Sequence, residues 1–188
     1  MGLKLITPVA QEPVTLAEAR AQCRVTDTNE DSLISIYIQA ARQYCEQYTQ
    51  RAIGPQTFEL ALDAFPDGPI ELPMSPATSI TSVKYADVNG VEQTLSTSGY
   101  VLDDYSHLSW CVSAYGSEWP VALDAANAVK VRYVAGTTTI DPTVRVAMLL
   151  LIGHMFEERS AVMEVRGSMI ELPLGVKSLL DTNRTWTI

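Results

Sequence analysis

The sequence predicts a mixed α+β fold: a small helical bundle of about four helices, with an inserted antiparallel β-unit between the second and third helices. Three observations predict it. Apolar residues recur at helical spacing up to residue 54 and again from residue 140, while between those points they alternate with a period of two. The chain has 188 residues, 47% of them hydrophobic and 19% charged, which is enough apolar material for a core and too little charge for a disordered chain. The expected division is 1–54 and 140–188 for the helical bundle with its C-terminal tail, and 55–139 for the β-unit.

The first helix opens at Thr15-Leu16-Ala17-Glu18, a T-x-x-E capping box after Pro13, and runs to about Cys23. A turn rich in Thr, Asp and Asn covers Val25 to Asn29. Leu33, Ile34, Tyr37, Ile38, Ala41, Cys45 and Tyr48 then form the apolar face of a long amphipathic helix ending near Thr49. Ser32, Ser35, Gln39, Arg42, Gln43, Glu46 and Gln50 make its opposite, solvent-facing side.

After Gly54-Pro55 the period switches. Phe58, Leu60 and Leu62 alternate with Thr57, Glu59, Ala61 and Asp63, and Ile70 to Leu72 is a short strand between prolines. Thr81, Val83 and Tyr85 lead into Asn89-Gly90, a strong hairpin signal, with Val91 to Leu95 returning. Tyr100 to Leu102, then Leu108, Trp110 and Val112, then Val129, Val131 and Tyr133 continue the alternation. Helix returns at Asp141-Pro142, an N-cap followed by proline at the first helical position. Val144 to Phe156 is apolar at almost every position, which predicts a helix enclosed on most faces. A last short helix carries Val176, Leu179 and Leu180.

The charge excludes several function classes. The chain has 13 basic and 22 acidic residues, a net charge of -9, and the stretch 51–142 alone holds eleven acids against four bases. No Lys/Arg cluster exists to neutralise several phosphates, so gripping DNA is disfavoured. A surface of this sign instead repels a polyanion within a Debye length, about 8 to 10 Å. No run approaches the roughly 18 to 20 apolar residues of a membrane span, and two early prolines argue against a signal peptide. The expected compartment is cytosolic, and Cys23, Cys45 and Cys111, odd in number and without CxxC spacing, read as reduced core thiols.

The usual signatures of chemistry are missing. No two of the 10 glycines are two or five positions apart, which removes GxG dinucleotide loops and GxxxxGK phosphate loops, and there is no GxSxG. His154 with Glu157 and Glu158 shares a helix side but is not HExxH, so a structural histidine is the stronger reading. His107 near Asp103 and Asp104 suggests acid/base work less well than a solvated turn. Aromatic Tyr115 and Trp119 look more like a loop folded over a sheet than a sugar platform. Catalytic, metal and cofactor residues are therefore expected to be none.

Two segments look like docking elements instead. The connection Ser160 to Leu172 carries Val162, Met163, Val165, Met169 and Ile170, apolar residues where long loops are normally polar. The tail from Arg184 through Trp186 to Ile188 adds an aromatic anchor. The stretch 143–188 balances five bases, among them Arg159 and Arg166, against five acids, which suits contacts between like-charged subunits.

Six runs together carry a resemblance: PVTLAEARAQCRV (13–25), NEDSLISIYIQAARQYCEQYTQRAI (29–53), ELPMSPATSITSVKYADVNG (71–90), VKVRYVAG (129–136), VRVAMLLLIGHMFEERS (144–160) and LPLGVKSLL (172–180). In this order and spacing the chain resembles the head-tail connector, or neck adaptor, family of long-tailed bacteriophages. The resemblance implies a non-enzymatic adaptor of the virion neck, assembled in the host cytoplasm, that forms a ring of about twelve subunits, a closed cyclic oligomer. It implies a portal protein on one side, a stopper or tail-completion protein on the other, and DNA passing through the lumen without sequence-specific binding. It supplies no catalytic residues and no cofactor. A reading from another class, an acidic DNA-mimic inhibitor of a DNA-handling protein, predicts a stable small oligomer, and a hydrolase using Asp103, Asp104 and His107 ranks last.

Overall fold

A computed structural model of the chain describes residues 1–158 and 174–185. Its elements in order are β1 (Gly2–Thr7), α1 (Leu16–Cys23), α2 (Asp31–Thr49), β2 (Gln56–Leu62), β3 (Ile70–Leu72), β4 (Ala77–Ala86), β5 (Glu92–Thr94), β6 (Tyr100–Asp103), β7 (Ser109–Ser113), β8 (Val129–Ala135), α3 (Pro142–Glu157) and α4 (Leu174–Asp181). The fold is mixed α+β, with antiparallel sheets. Residues 1–10 with 54–138 form one compact unit, and residues 11–53 with 139–188 another.

In the β-rich unit the five-stranded sheet has the order β1-β2-β8-β4-β5 and the three-stranded sheet the order β3-β7-β6. Directly opposed residues on neighbouring strands point to the same face. Two apolar rows therefore cross the larger sheet: Val83, Val131, Leu60 and Leu3 in one, Ile80, Tyr133, Phe58 and Leu5 in the next. Val83, Val131, Leu60, Tyr133 and Phe58 are buried, and full burial of such a side chain stabilises by about 1.5–3 kcal/mol. Buried serines connect the sheets. The Ser75 hydroxyl accepts from the Ser109 N–H at 2.8 Å, and the Ser109 hydroxyl accepts from the Ala77 N–H at 2.9 Å.

Two expectations for this unit are corrected. The N-terminal residues were expected in the helical bundle, but Gly2–Thr7 pairs with β2, because Leu3 and Leu5 alternate with Gly2 and Lys4 and continue the apolar rows. In β7 the inward residues are Ser109 and Cys111, one position out of phase with the expected Leu108, Trp110 and Val112. The serine relay requires Ser109 inside, and the pleat then turns Trp110 the other way. The Asn89-Gly90 turn follows expectation: Gly90 has a φ of +79°, and the Asp87 carboxylate accepts the Asn89 and Val91 N–H groups at 2.9 and 3.1 Å.

The helical unit starts where the sequence indicated. The Thr15 side chain accepts from the Glu18 N–H at 3.3 Å while Glu18 accepts from the Thr15 N–H at 2.9 Å, a complete capping box. Its core gathers Val14 and Ala19, Ile34, Ile38, Ala41 and Cys45 of α2, Ala147, Met148, Leu151 and Ile152 of α3, and Val176 and Leu180 of α4. Burial and the neighbouring Glu46 push the Cys45 thiol up to about 12, and burial does the same to Cys111, so both are inert core thiols.

Two helical expectations also change. Arg42 and Glu46, assigned to the wet side of α2, are only 6% and 7% exposed. Glu12 crosses that side of the helix, and its carboxylate accepts from Arg42 Nε at 2.8 Å while Glu46 accepts from Nη1 at 2.8 Å. Glu46 takes the Ile53 N–H at 2.9 Å with its other oxygen. Burial alone would lower the Arg42 pKa, but the hydrogen bonds and charges of the two glutamates outweigh it and hold it above its ordinary value. The second change concerns α3, which packs on α1, α2 and α4 along one side and leaves Val146 and Leu150 46% and 39% exposed.

Two outcomes are expected. Arg42→Ala leaves two carboxylates facing each other without a cation and lowers unfolding free energy by about 3 kcal/mol. Chemical denaturation at neutral pH measures it, and a loss under about 1 kcal/mol would contradict this role for the cluster. Asp141→Ala removes the α3 cap, whose carboxylate accepts the Thr143 N–H at 2.7 Å, at a cost of about 1 kcal/mol. The Thr143 hydroxyl and N–H hold the Asp141 carboxyl below its ordinary value of 3.8, so this stabilisation is complete above that pH and fades as pH falls through the lower folded value. The wild-type and variant stability curves should therefore differ at neutral pH and converge in acid.

Candidate functional site

The residues weighed for chemistry in the sequence, Asp103, Asp104, His107 and His154, do not converge on one centre. Asp103, Asp104 and His107 lie exposed in the turn between β6 and β7, where the Asp103 carboxylate accepts the Tyr105 N–H at 3.1 Å. His154 is half-buried on α3, and its carbonyl accepts the Glu158 N–H at 2.9 Å. Among the described residues no group of three His, Cys, Asp or Glu side chains is placed to hold a metal ion. Among them, too, no helix is long and apolar enough to cross a membrane.

The Tyr115–Pro120 loop folds back over its own unit. Trp119 stacks on Phe65 with ring centres 5.1 Å apart, and Phe65 meets Tyr85 edge-on at 5.6 Å. Trp119 Nε1 donates to the Gly68 carbonyl at 3.0 Å, which satisfies its polar end. A shallow groove of about 500 Å³ beside the pair is lined by Asp67 and Glu118 as well as the aromatics. Tyr115 itself is fully exposed.

Of the expected interface residues, Arg184 lies within the described part, while Arg159, Val162, Met163, Val165, Arg166, Met169, Ile170, Trp186 and Ile188 lie outside the described residues. Arg184 packs over the Tyr48 ring at 5.3 Å from its centre, and the Tyr48 hydroxyl donates to Asp181 at 2.7 Å. That hydrogen bond, foremost, raises the Tyr48 pKa. The Thr185 N–H donates to the Thr49 carbonyl at 3.0 Å, and the Asn183 amide donates to Thr143 Oγ1 at 2.8 Å. The chain leading to the tail is thus fastened to the end of α2 and the start of α3. Arg145, another base of this balanced segment, forms its ion pair with Glu18 of the capping box.

What the described surface offers is contact area. Val146 and Leu150 make an i, i+4 apolar pair on α3. Leu3 and Leu5 stand exposed on β1, and Val88 and Val91 flank the Asn89-Gly90 turn. The sequence reading missed these: Val146 and Leu150 read as enclosed because almost every position of their helix is apolar, and the isolated Leu3, Leu5, Val88 and Val91 carry no long periodic signal.

A family model described as phage gp6-like head-tail connector protein matches residues 13–109, more than half of the chain. The chain belongs to the phage gp6-like head-tail connector family. Among solved structures it is similar to a chain in the neck of an empty GTA particle computed with C6 symmetry, with a TM-score of 0.81 and 24% identity. It is also similar to a chain in the virion of a native gene transfer agent particle, with a TM-score of 0.78 and 25% identity. A third similarity is to the neck of the native GTA particle computed with C12 symmetry, at 0.78 and 24%. Each alignment covers 100% of this chain and 97% of the other. A comparison with curated proteins gives no match.

Arg184→Ala should cost at most about 1 kcal/mol, because an exposed cation over a half-buried ring contributes little, and should leave the helical unit folded. Thermal unfolding followed by circular dichroism checks this, and loss of the folded baseline would show that the Tyr48 contact does more than seat the tail.

Proposed function

We propose that this chain is a structural, non-enzymatic connector of a virion neck, forming a ring of about twelve copies that joins the portal to the stopper or tail-completion proteins. The family match over 13–109 carries this reading, and the likeness over the full chain to neck proteins solved with C6 and C12 symmetry supports the ring. The helical unit, interrupted by the β-unit as an inserted domain, forms the ring body, and assembly takes place in the host cytoplasm before the protein enters the virion.

The charge gains a use in this setting. With a net charge of -9 per chain, twelve copies carry about -108, a wall along which DNA slides without sticking. Portal docking falls to the apolar 160–172 stretch and to the tail at Trp186 and Ile188, with Arg159 and Arg166 serving contacts between subunits.

Negative-stain electron microscopy of the purified protein, alone and mixed with its portal, tests the reading together with native mass spectrometry. Rings, free or capping the portal, are the expected result, and monomers that ignore the portal would overturn it. Removing residues 186–188 should weaken portal attachment while leaving thermal unfolding unchanged. Charge reversal at Arg159 or Arg166 should reduce ring yield, and full assembly of both variants would remove these residues from the interface.

A further inference from the structure

We propose that neighbouring copies meet head to tail through the two ends of the five-stranded sheet. The β1 edge of one copy, with Leu3, Lys4 and Leu5, packs against the β4–β5 hairpin of the next, with Asp87, Val88 and Val91. The inference rests on the ring reading above and specifies the contact that builds the ring.

Leu3 and Leu5 are 41% and 46% exposed although they lie directly opposite the buried Leu60 and Phe58. They are the last members of the two apolar rows, reaching the border of the sheet where β1 ends the strand order. At the other border Val88 and Val91 are 62% and 54% exposed on either side of the Asn89-Gly90 turn, a place that normally takes polar residues.

The two ends are also complementary in charge. Residues 1–10 contain Lys4 and no acid, while at the hairpin Glu92 is held by Lys84 at 2.8 Å and Asp87 accepts from the neutral N–H groups of Asn89, Val91 and Gln93, which do not cancel its charge. Glu59, the acid opposite Lys4 in the ladder, directs its carboxylate to Arg132 at 2.6 Å. Lys4 and Asp87 therefore reinforce the apolar contact between copies and set its direction. Because the two patches differ and sit at opposite ends of one sheet, each copy uses one patch on each of two neighbours. That is a heterologous interface, which closes into a ring and not into a two-fold pair.

Cysteine cross-linking tests the contact. Leu3→Cys and Val91→Cys chains are prepared separately in a Cys23→Ser background, mixed, assembled with the portal, oxidised and separated without reductant. Both positions are exposed, and circular dichroism verifies the fold of each variant. The mixture should give a disulfide-linked dimer that neither variant gives alone, and a chain carrying both substitutions should give a ladder of higher multiples. Leu5→Cys with Val88→Cys provides a second pair with the same expectation. Rings visible by electron microscopy without cross-links from either pair would overturn this interface while leaving the connector reading intact. Dimers from Leu3→Cys alone would overturn it in favour of a two-fold contact. Absence of rings with and without the portal would overturn the connector reading and this inference with it.

Discussion

The three-residue cluster of Glu12, Arg42 and Glu46 is the constraint on which the chain path depends. Glu12 stands at the start of the 11–53 segment and Ile53 at its end, and both bind the same turn of α2, one through Arg42 and the other through Glu46. The two ends of a stretch of about forty residues are thereby held together, and Val14 and Ile53, buried in the same apolar core, share in offsetting the loop-closure entropy. The same closure is required by the pairing of β1 with β2, which sets Thr7 opposite Thr57. Gly54 fits this geometry: its φ is +87°, and a Cβ there would lie 2.7 Å from Val9. A buried arginine between two glutamates is expensive to desolvate, so its use here favours a reading in which it fixes a unique chain path more than it adds net stability.

Elsewhere four more of the described bases form ion pairs inside the chain. Arg132 pairs with Glu59, Lys84 with Glu92, Arg145 with Glu18 and Arg20 with Asp31. Each pair is at least partly exposed and contributes little to stability. Their larger effect is electrostatic, since positive charges neutralised in place leave the acids in excess to set the sign of the surface field.

Much of the fold was legible because the signals were local. The Thr15 and Glu18 box, the Asn89-Gly90 turn, the Asp141-Pro142 helix start and the alternation of Val129, Val131 and Tyr133 each require only a few neighbouring residues. What was missed depended on a distant partner. Arg42 and Glu46 read as solvent-facing because Glu12, thirty positions from Arg42, is invisible to a helical period. Ser109 read as outward because the Ala77 N–H that satisfies its buried hydroxyl lies 32 positions away in the sequence. The alternation of Leu3 and Leu5 was present, but a strand of six residues has no meaning until β2 is there to pair with it. The candidate site was less legible still. Arg184 followed the surface pattern of a docking residue yet seats its own chain on Tyr48, and nothing in its sequence neighbourhood distinguishes the two roles.

The exposed apolar residues explain why folding and assembly can be separated. Leu3, Leu5, Val88 and Val91 are small patches, and at about 25 cal/mol per Å² no one of them would hold two free chains together against the entropy of association. In a closed ring every copy makes the contact twice, and once a platform holds several copies side by side each further contact forms at high effective concentration. Weak patches therefore suffice, provided that they lie at opposite ends of a rigid element. The two rows crossing the sheet supply that rigidity, because the same residues that bury the core at Leu60 and Phe58 end in the exposed pair on β1. The core thus determines where these exposed side chains stand, and in the proposed ring assembly would draw on side chains that the core does not bury.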